Sequence, residues 1–382
     1  MRILHYYPQD DAMIAQHVKM LSDEACLSDG SQNRIGELPL IHCVSEVEQA
    51  KTLLRGGSYD ILHLHGCWRN SSRIIVNMAL RQGCRLVVTP HGGLEPWIRE
   101  ENRWKEKWPK RILYQHDIIH RAYAVIIQGK LENECMMHLG WNPRTVIIKN
   151  AVITQAITRK DMVRQTFDVY QKVMNSNQLE LMDDNTKKVL KALITIGITG
   201  DKRWLDLDDE YTKVSFPSNS VDSRWRLLLC YAHQEDIYDT LQRGIRVLGL
   251  DAPDIDVKQI EYYLPDGYKS TETIGKTIGN KFATENERLQ ATFRLIRKLV
   301  SNRQLSIKHL IEVNRELRQH GCEEELLADE LKEQRLWKLT SRLMQVVNEL
   351  TGLPEGFMPV APIDDRTTRA MRRQVDERLK IK

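Results

Sequence analysis

The sequence predicts an α/β protein, with a Rossmann-like, doubly wound parallel sheet over residues 1–155 followed by a mainly helical domain. Two observations carry the prediction. Six short β-rich runs, at 2–7, 38–44, 61–64, 85–89, 124–127 and 145–148, alternate with helical spacing at 11–24, 45–54, 71–82, 107–122 and 130–139. Apolar strands separated by crossover helices indicate a parallel sheet covered on both faces. Beyond residue 155 strand-like runs nearly vanish, and helical spacing recurs at 161–193 (one or two helices), 225–248, 286–300, 306–320 and 323–350. The expected domains are therefore 1–155, 156–352, and 353–382, the last a Pro-containing loop and basic helix-prone tail whose plainest role is a solvated terminal helix.

Composition narrows the class. The chain has 382 residues, 41% hydrophobic and 28% charged, with a net charge of +4. That is long enough for two cores and too weakly basic for a dedicated nucleic-acid binder, so no nucleic-acid partner is expected. The seven cysteines (Cys26, Cys43, Cys67, Cys84, Cys135, Cys230 and Cys322) are scattered and never spaced Cys-x-x-Cys. This argues against a disulfide framework or a zinc knuckle. The opening apolar run is too short for a signal peptide, and no stretch approaches about 18 apolar residues. A soluble cytoplasmic protein is the expectation.

In doubly wound sheets ligands bind beyond the carboxyl ends of the strands. The segments to watch are thus 8–11, 65–68, 91–97, 128–130 and 149–150. The strongest signal is Thr89-Pro90-His91-Gly92-Gly93-Leu94-Glu95-Pro96-Trp97, where a β-run ends in a His-Gly-Gly turn. Glycines there let the backbone approach a ligand and present N–H groups to an anion. His91 would point into the crevice. Of the paired histidines, His65 is the better crevice candidate and His63 points into packing; His5 and His17 read as structural.

This segment resembles the Ser/Thr-Pro-His-Gly-x-Leu-x-Pro-Trp signature of family 4 glycosyltransferases, which adopt the GT-B fold. The resemblance extends through Arg103-Trp104-Lys105, Tyr114-Gln115, Arg121-Ala122 and 128–134 to Lys149-Asn150-Ala151-Val152, similar to the family's Pro-Asn-Gly-Val boundary. His65-Gly66-Cys67-Trp68 looks like the family's earlier His-Gly-x-Trp turn. The match covers the amino-terminal half only. Where the family carries Gly-Gly before its first helix, this chain reads Pro8-Gln9-Asp10-Asp11, which would repel a pyrophosphate unless paired or turned away. The family's second Rossmann domain is not evident. Glu316 and Glu324, and Glu325 and Glu333, have the spacing of its Glu–Glu motif but lack the Gly-rich turn that aims it.

The resemblance implies a retaining glycosyltransferase of the hexosyltransferase type, passing a sugar from a nucleotide sugar to a glycan or lipid-linked acceptor. His91 is the expected catalytic residue; Gly92, Gly93, Lys149 and Asn150 are expected on the donor; His65, Trp68 and Glu95 are expected on the acceptor. No metal and no cofactor beyond the donor are expected. Asp206 with Asp208, and Asp254 with Asp256, form Asp-x-Asp pairs that read as loop carboxylates, because GT-B enzymes work without a bound divalent ion. The basic, Trp-rich run 97–111 has three readings: packing, peripheral contact with the inner face of a membrane, or stacking of a tryptophan on a sugar ring. The alternative function is a catalytically silent relative acting as a glycan- or partner-binding module. It is distinguished by whether cations such as Lys202, Arg203, Arg224 or Arg226 serve the His91 turn.

Overall fold

The computed structural model describes residues 1–27, 39–101, 107–205, 214–279, 282–319 and 324–381. The six predicted strands are β1 (Arg2–Tyr6), β2 (Leu40–Val44), β3 (Ile61–His65), β4 (Arg85–Thr89), β5 (Ala124–Ile127) and β6 (Thr145–Ile147). They form one parallel sheet in the order β2-β1-β3-β4-β5-β6. The chain winds outward to β2, then returns to the other side of β1. The winding direction therefore reverses between β1 and β3, where such sheets open a binding crevice.

Side-chain alternation divides the strands between two cores. Leu4, Tyr6, Leu62, Leu64, Leu86 and Val88 face one way, against α2 (Val47–Gly56), α3 (Asn70–Arg81), α6 (His116–His120) and α7 (Lys130–Leu139). Ile3, Ile61 and Val87 face the other way, against α1 (Ala12–Leu27) and α8 (Arg159–Asn175). Two shorter helices, α4 (Pro96–Glu100) and α5 (Trp108–Lys110), precede α6, and a π-helical turn at Arg111–Gln115 joins α5 to α6.

The first compact unit comprises Met1–Ser176, Glu261–Asp266 and Ile381–Lys382. Helix α8, grouped by its spacing with the second domain, belongs here because Met162, Val163, Val169, Tyr170 and Val173 complete the sheet's second core. Buried Arg85 on β4 donates to the carbonyls of Val173 (2.5 Å) and Met174 (2.9 Å), satisfying the open end of α8. The short insert is held by Asn175 donating to the Glu261 carbonyl at 3.0 Å, the Tyr263 N–H donating to Ser176 Oγ at 2.7 Å, and Arg144 paired with Asp266.

The second unit is Asn177–Ile260 with Gly267–Lys380, and its described residues contain no strand. Its helices are α9 (Asp184–Thr199), α10 (Arg224–Gln234), α11 (Tyr238–Leu248), α12 (Ile274–Ile278), α13 (Glu285–Ser301), α14 (Ile307–Gln319), α15 (Glu324–Glu333), α16 (Trp337–Thr351) and α17 (Arg366–Asp376). The predicted runs 161–193, 225–248 and 323–350 each break into two helices, with Asn177, Asp236 and Arg335 in left-handed conformation at or near the breaks. None is glycine, the usual residue at a helix end; the spacing left one or two helices open over 161–193 and did not divide the other two runs. The tail helix α17 is docked rather than solvated: Thr368, Met371 and Val375 are buried, Arg372 pairs with Glu349, and Asp365 caps the helix. Glu316 is a structural residue, accepting from Arg288 (3.1 Å) and Thr292 (2.9 Å).

None of Cys43, Cys67, Cys84, Cys135 and Cys230 is in a disulfide. Arg103, Trp104, Lys105, Asp206, Asp208 and Cys322 lie outside the described residues.

Candidate functional site

Strand register assembles the site. His5 pairs with His63 across β1 and β3, and His65 pairs with Thr89 across β3 and β4. Residues in register share a face in a parallel sheet, so His5, His63, His65 and Thr89 continue the rows begun by Ile3, Ile61 and Val87. Two more histidines arrive from outside the sheet: His17 from α1, and His91 from the turn after β4. The sequence places two of these, His65 and His91, in the crevice. The fold brings all five together at the winding reversal.

Their hydrogen bonds form a connected set. His5 Nδ1 lies 2.9 Å from His65 Nε2, and His65 Nδ1 lies 3.0 Å from His91 Nε2. His63 is engaged on both nitrogens, by the Tyr170 hydroxyl at 2.6 Å and Thr89 Oγ1 at 2.7 Å. His17 Nδ1 lies 3.1 Å from Asn150 Oδ1. That oxygen also accepts the Val152 N–H at 2.9 Å, which fixes the orientation of the Asn150 amide. His17 Nδ1 must therefore carry the proton, leaving the lone pair on Nε2.

Burial holds these rings neutral. It lowers His5 and His91 to about 3, helped in each by the charge His17 would carry, and it takes His63 and His65 well below the usual histidine range. His17 is lowered too, against the opposing hydrogen bond to Asn150. Neutral imidazoles each keep one lone pair, which suits them to relay protons or bind a metal, and not to pair with an anion.

Two turns frame the crevice. After β3, Gly66 and Trp68 adopt positive φ; after β4, His91 (φ 54°) and Gly92 do the same. Left-handed backbone at a tryptophan and a histidine is strained and must be held by its surroundings. The Trp68 N–H donates to Gln115 Oε1 at 2.8 Å, and its indole N–H donates to the Gly93 carbonyl at 2.7 Å. A Cβ on Gly93 would stand 2.9 Å from the Pro90 carbonyl oxygen, so only glycine fits.

Of the predicted site residues, His91 and Gly93 line the crevice, with Gly92 in the same turn; Trp68 lines it with one edge while mostly buried. His65 is buried behind His91. Asn150 is buried against His17, whereas its neighbour Lys149 is exposed. Glu95 occupies the N-cap position of α4 without a side-chain capping bond, its carboxyl beside Gly92 and raised by partial burial. In the acidic first loop Asp10 pairs with Arg69 at 2.8 Å, while Asp11 Oδ1 accepts the Ile14 N–H at 3.0 Å, a bond that brings no counter-charge.

The crevice, of about 560 Å³, is lined by Pro8, Asp11, the 66–71 segment that opens α3, the His91 turn, and Lys107 and Lys110. Sequence reasoning did not single out Lys107 and Lys110 as ligand contacts, nor His5, His17 and His63. Basic residues inside an aromatic-rich run were the only available signal for the lysines. Of the cations proposed from the helical half, Arg203 pairs with Asp201 and Arg224 with Asp222, each at 2.6 Å.

Comparison with protein families matches residues 36–151 to a glycosyl transferase 4-like domain. No curated protein and no solved structure matches the chain. The matched segment contains β2 to β6 and both crevice turns.

Proposed function

From a chain whose residues 36–151 form a glycosyl transferase 4-like domain, we propose that this protein transfers a sugar from a nucleotide sugar to a glycan or lipid-linked acceptor. The observation that carries the proposal is the convergence on one crevice of the His91–Gly93 turn, the start of α3 and two lysines. The first turn of α3 has no side-chain cap, so its N–H groups suit a phosphate oxygen. Lys107 and Lys110 add positive charge beside it; Asp10 is paired with Arg69, and Asp11 lines the same crevice with its Oδ1 bonded to the Ile14 N–H. In this reading the protein aligns donor and acceptor and stabilises the leaving phosphate, which needs little covalent chemistry. His91 is the residue set to contact the donor.

The second reading, a catalytically silent binding module, is favoured by one observation. Among the described residues, the second unit contains no strand that would build a further nucleotide-binding sheet.

Thermal-shift titration with a panel of nucleotides and nucleotide sugars, on wild type and His91→Ala, separates the two. A donor at a hundred times its dissociation constant contributes about 2.7 kcal/mol of stability. The transferase reading expects a shift with at least one nucleotide that disappears in the variant. A folded wild type that responds to none of them leaves only the binding module.

A further inference from the structure

We propose that His17, His65 and His91 bind a divalent transition-metal cation of the zinc class, with one coordination face open to the crevice. One ring nitrogen from each lies within 4.8 Å of the other two. His65 Nδ1 and His91 Nε2 are 3.0 Å apart, and metal–nitrogen bonds of about 2.0–2.1 Å at tetrahedral angles need roughly 3.3 Å. Side-chain adjustments of a few tenths of an ångström convert the hydrogen bond between these two rings into two coordinate bonds.

The outer nitrogens of the cluster favour this arrangement. Ligating histidines characteristically fix their tautomer by donating the remaining ring N–H to a partner. His17 donates Nδ1–H to Asn150 Oδ1, which leaves the Nε2 lone pair for a metal. His65 uses Nδ1 inward, and its Nε2 lies 2.9 Å from His5 Nδ1, the partner that would accept its proton. The Gln128 side chain is set against His91. The competing trio of His5, His63 and His65 is excluded by His63, whose two nitrogens are already held by Tyr170 and Thr89.

Access and strain point the same way. His91 is the one partly exposed member of the trio and lines the crevice, giving a cation an entry path. Its left-handed backbone is what places the ring beside His65 rather than in solvent. Three neutral imidazoles with a fourth position open to water or a phosphate oxygen form a donor set suited to zinc, cobalt or nickel. The proposal does not depend on sugar transfer, because metal binding is read directly.

The test is a cobalt(II) titration of the full chain after chelator treatment, followed by visible absorption and displacement with zinc(II). His17→Gln, His91→Gln and the control His63→Gln are titrated alongside, each checked for folding by circular dichroism and melting. Wild type is expected to bind one equivalent, with the ligand-field bands of low-coordinate cobalt. Either ligand variant should lose at least about tenfold in affinity, and the control less than either. If His91→Gln does not fold, His17→Gln alone decides. No stoichiometric binding by wild type, unchanged binding in the ligand variants, or a loss confined to His63→Gln overturns the assignment.

Discussion

The carboxyl group of Glu132, on α7, accepts the backbone N–H of Leu94 at 3.2 Å and so braces the turn that carries His91. Burial raises this carboxyl to about 7, outweighing the Leu94 and Gly92 N–H groups that pull it down. The folded protein therefore holds a proton here that the unfolded chain, near 4.5, has released. Stability from this group is fully present below about 4.5 and is lost as pH rises toward and past 7. The loss amounts to about 3 kcal/mol. Glu132→Gln keeps an acceptor for Leu94 but cannot titrate. The difference in unfolding free energy between wild type and variant, measured by urea at several pH values, should move in favour of the variant as pH rises through this window. A difference that moves the other way would mean that the N–H donors dominate.

Within the second unit, α9 and α11 cross at two glycines. A Cβ on Gly197 would stand 2.0 Å from the Thr240 carbonyl oxygen, and one on Gly244 would stand 2.2 Å from that of Leu193. Alanine in an open helix position gains about 1 kcal/mol over glycine. Here the contacts are backbone on a neighbouring helix, which cannot rotate away, so overpacking wins. Gly197→Ala and Gly244→Ala should each destabilise by about 1–3 kcal/mol or more. Gly275 in α12, with nothing within 4 Å of its Cβ position, is the control and should tolerate alanine. Equal melting temperatures for all three variants would contradict the close crossing.

The run that begins in α4 bears on membrane contact. Trp97, Trp108, Ile112 and Leu113 are 56%, 46%, 63% and 61% exposed, with Arg99, Lys110 and Arg111 nearby in sequence. No helix among the described residues is long and apolar enough to cross a membrane. Such a face suits an anionic lipid surface. We expect wild type to sediment with anionic vesicles, and Ile112→Ser with Leu113→Ser to reduce this severalfold at unchanged melting temperature. Wild type left in the supernatant at low salt would assign the exposed apolar residues to packing.

Much of the first unit was legible in the sequence because its signals are local. Ile3-Leu4, Ile61-Leu62 and Leu86-Val87-Val88 read as strands from composition alone, and the His91-Gly92-Gly93 turn marked the end of β4, where it lines the crevice. The break at Asn177 was left open by the spacing, and those at Asp236 and Arg335 were not read, since neither position carries the glycine that usually marks a helix end. Nor was the place of α8, because one amphipathic helix can cover a sheet or another helix equally well. Only the buried Arg85 and the apolar face of the sheet decide for the sheet.

The sequence by itself determined the parallel sheet, the turns at its carboxyl edge and the helical character of the rest of the chain. Periodicity and turn chemistry act over a few residues and need no knowledge of neighbours. The tertiary structure alone decided that His5, His17, His63, His65 and His91 share one site, and that Arg69, Lys107 and Lys110 line one crevice. Both depend on strand register and on the direction of winding. Those are settled by burying two sheet faces at once, a condition no single segment of the chain can express.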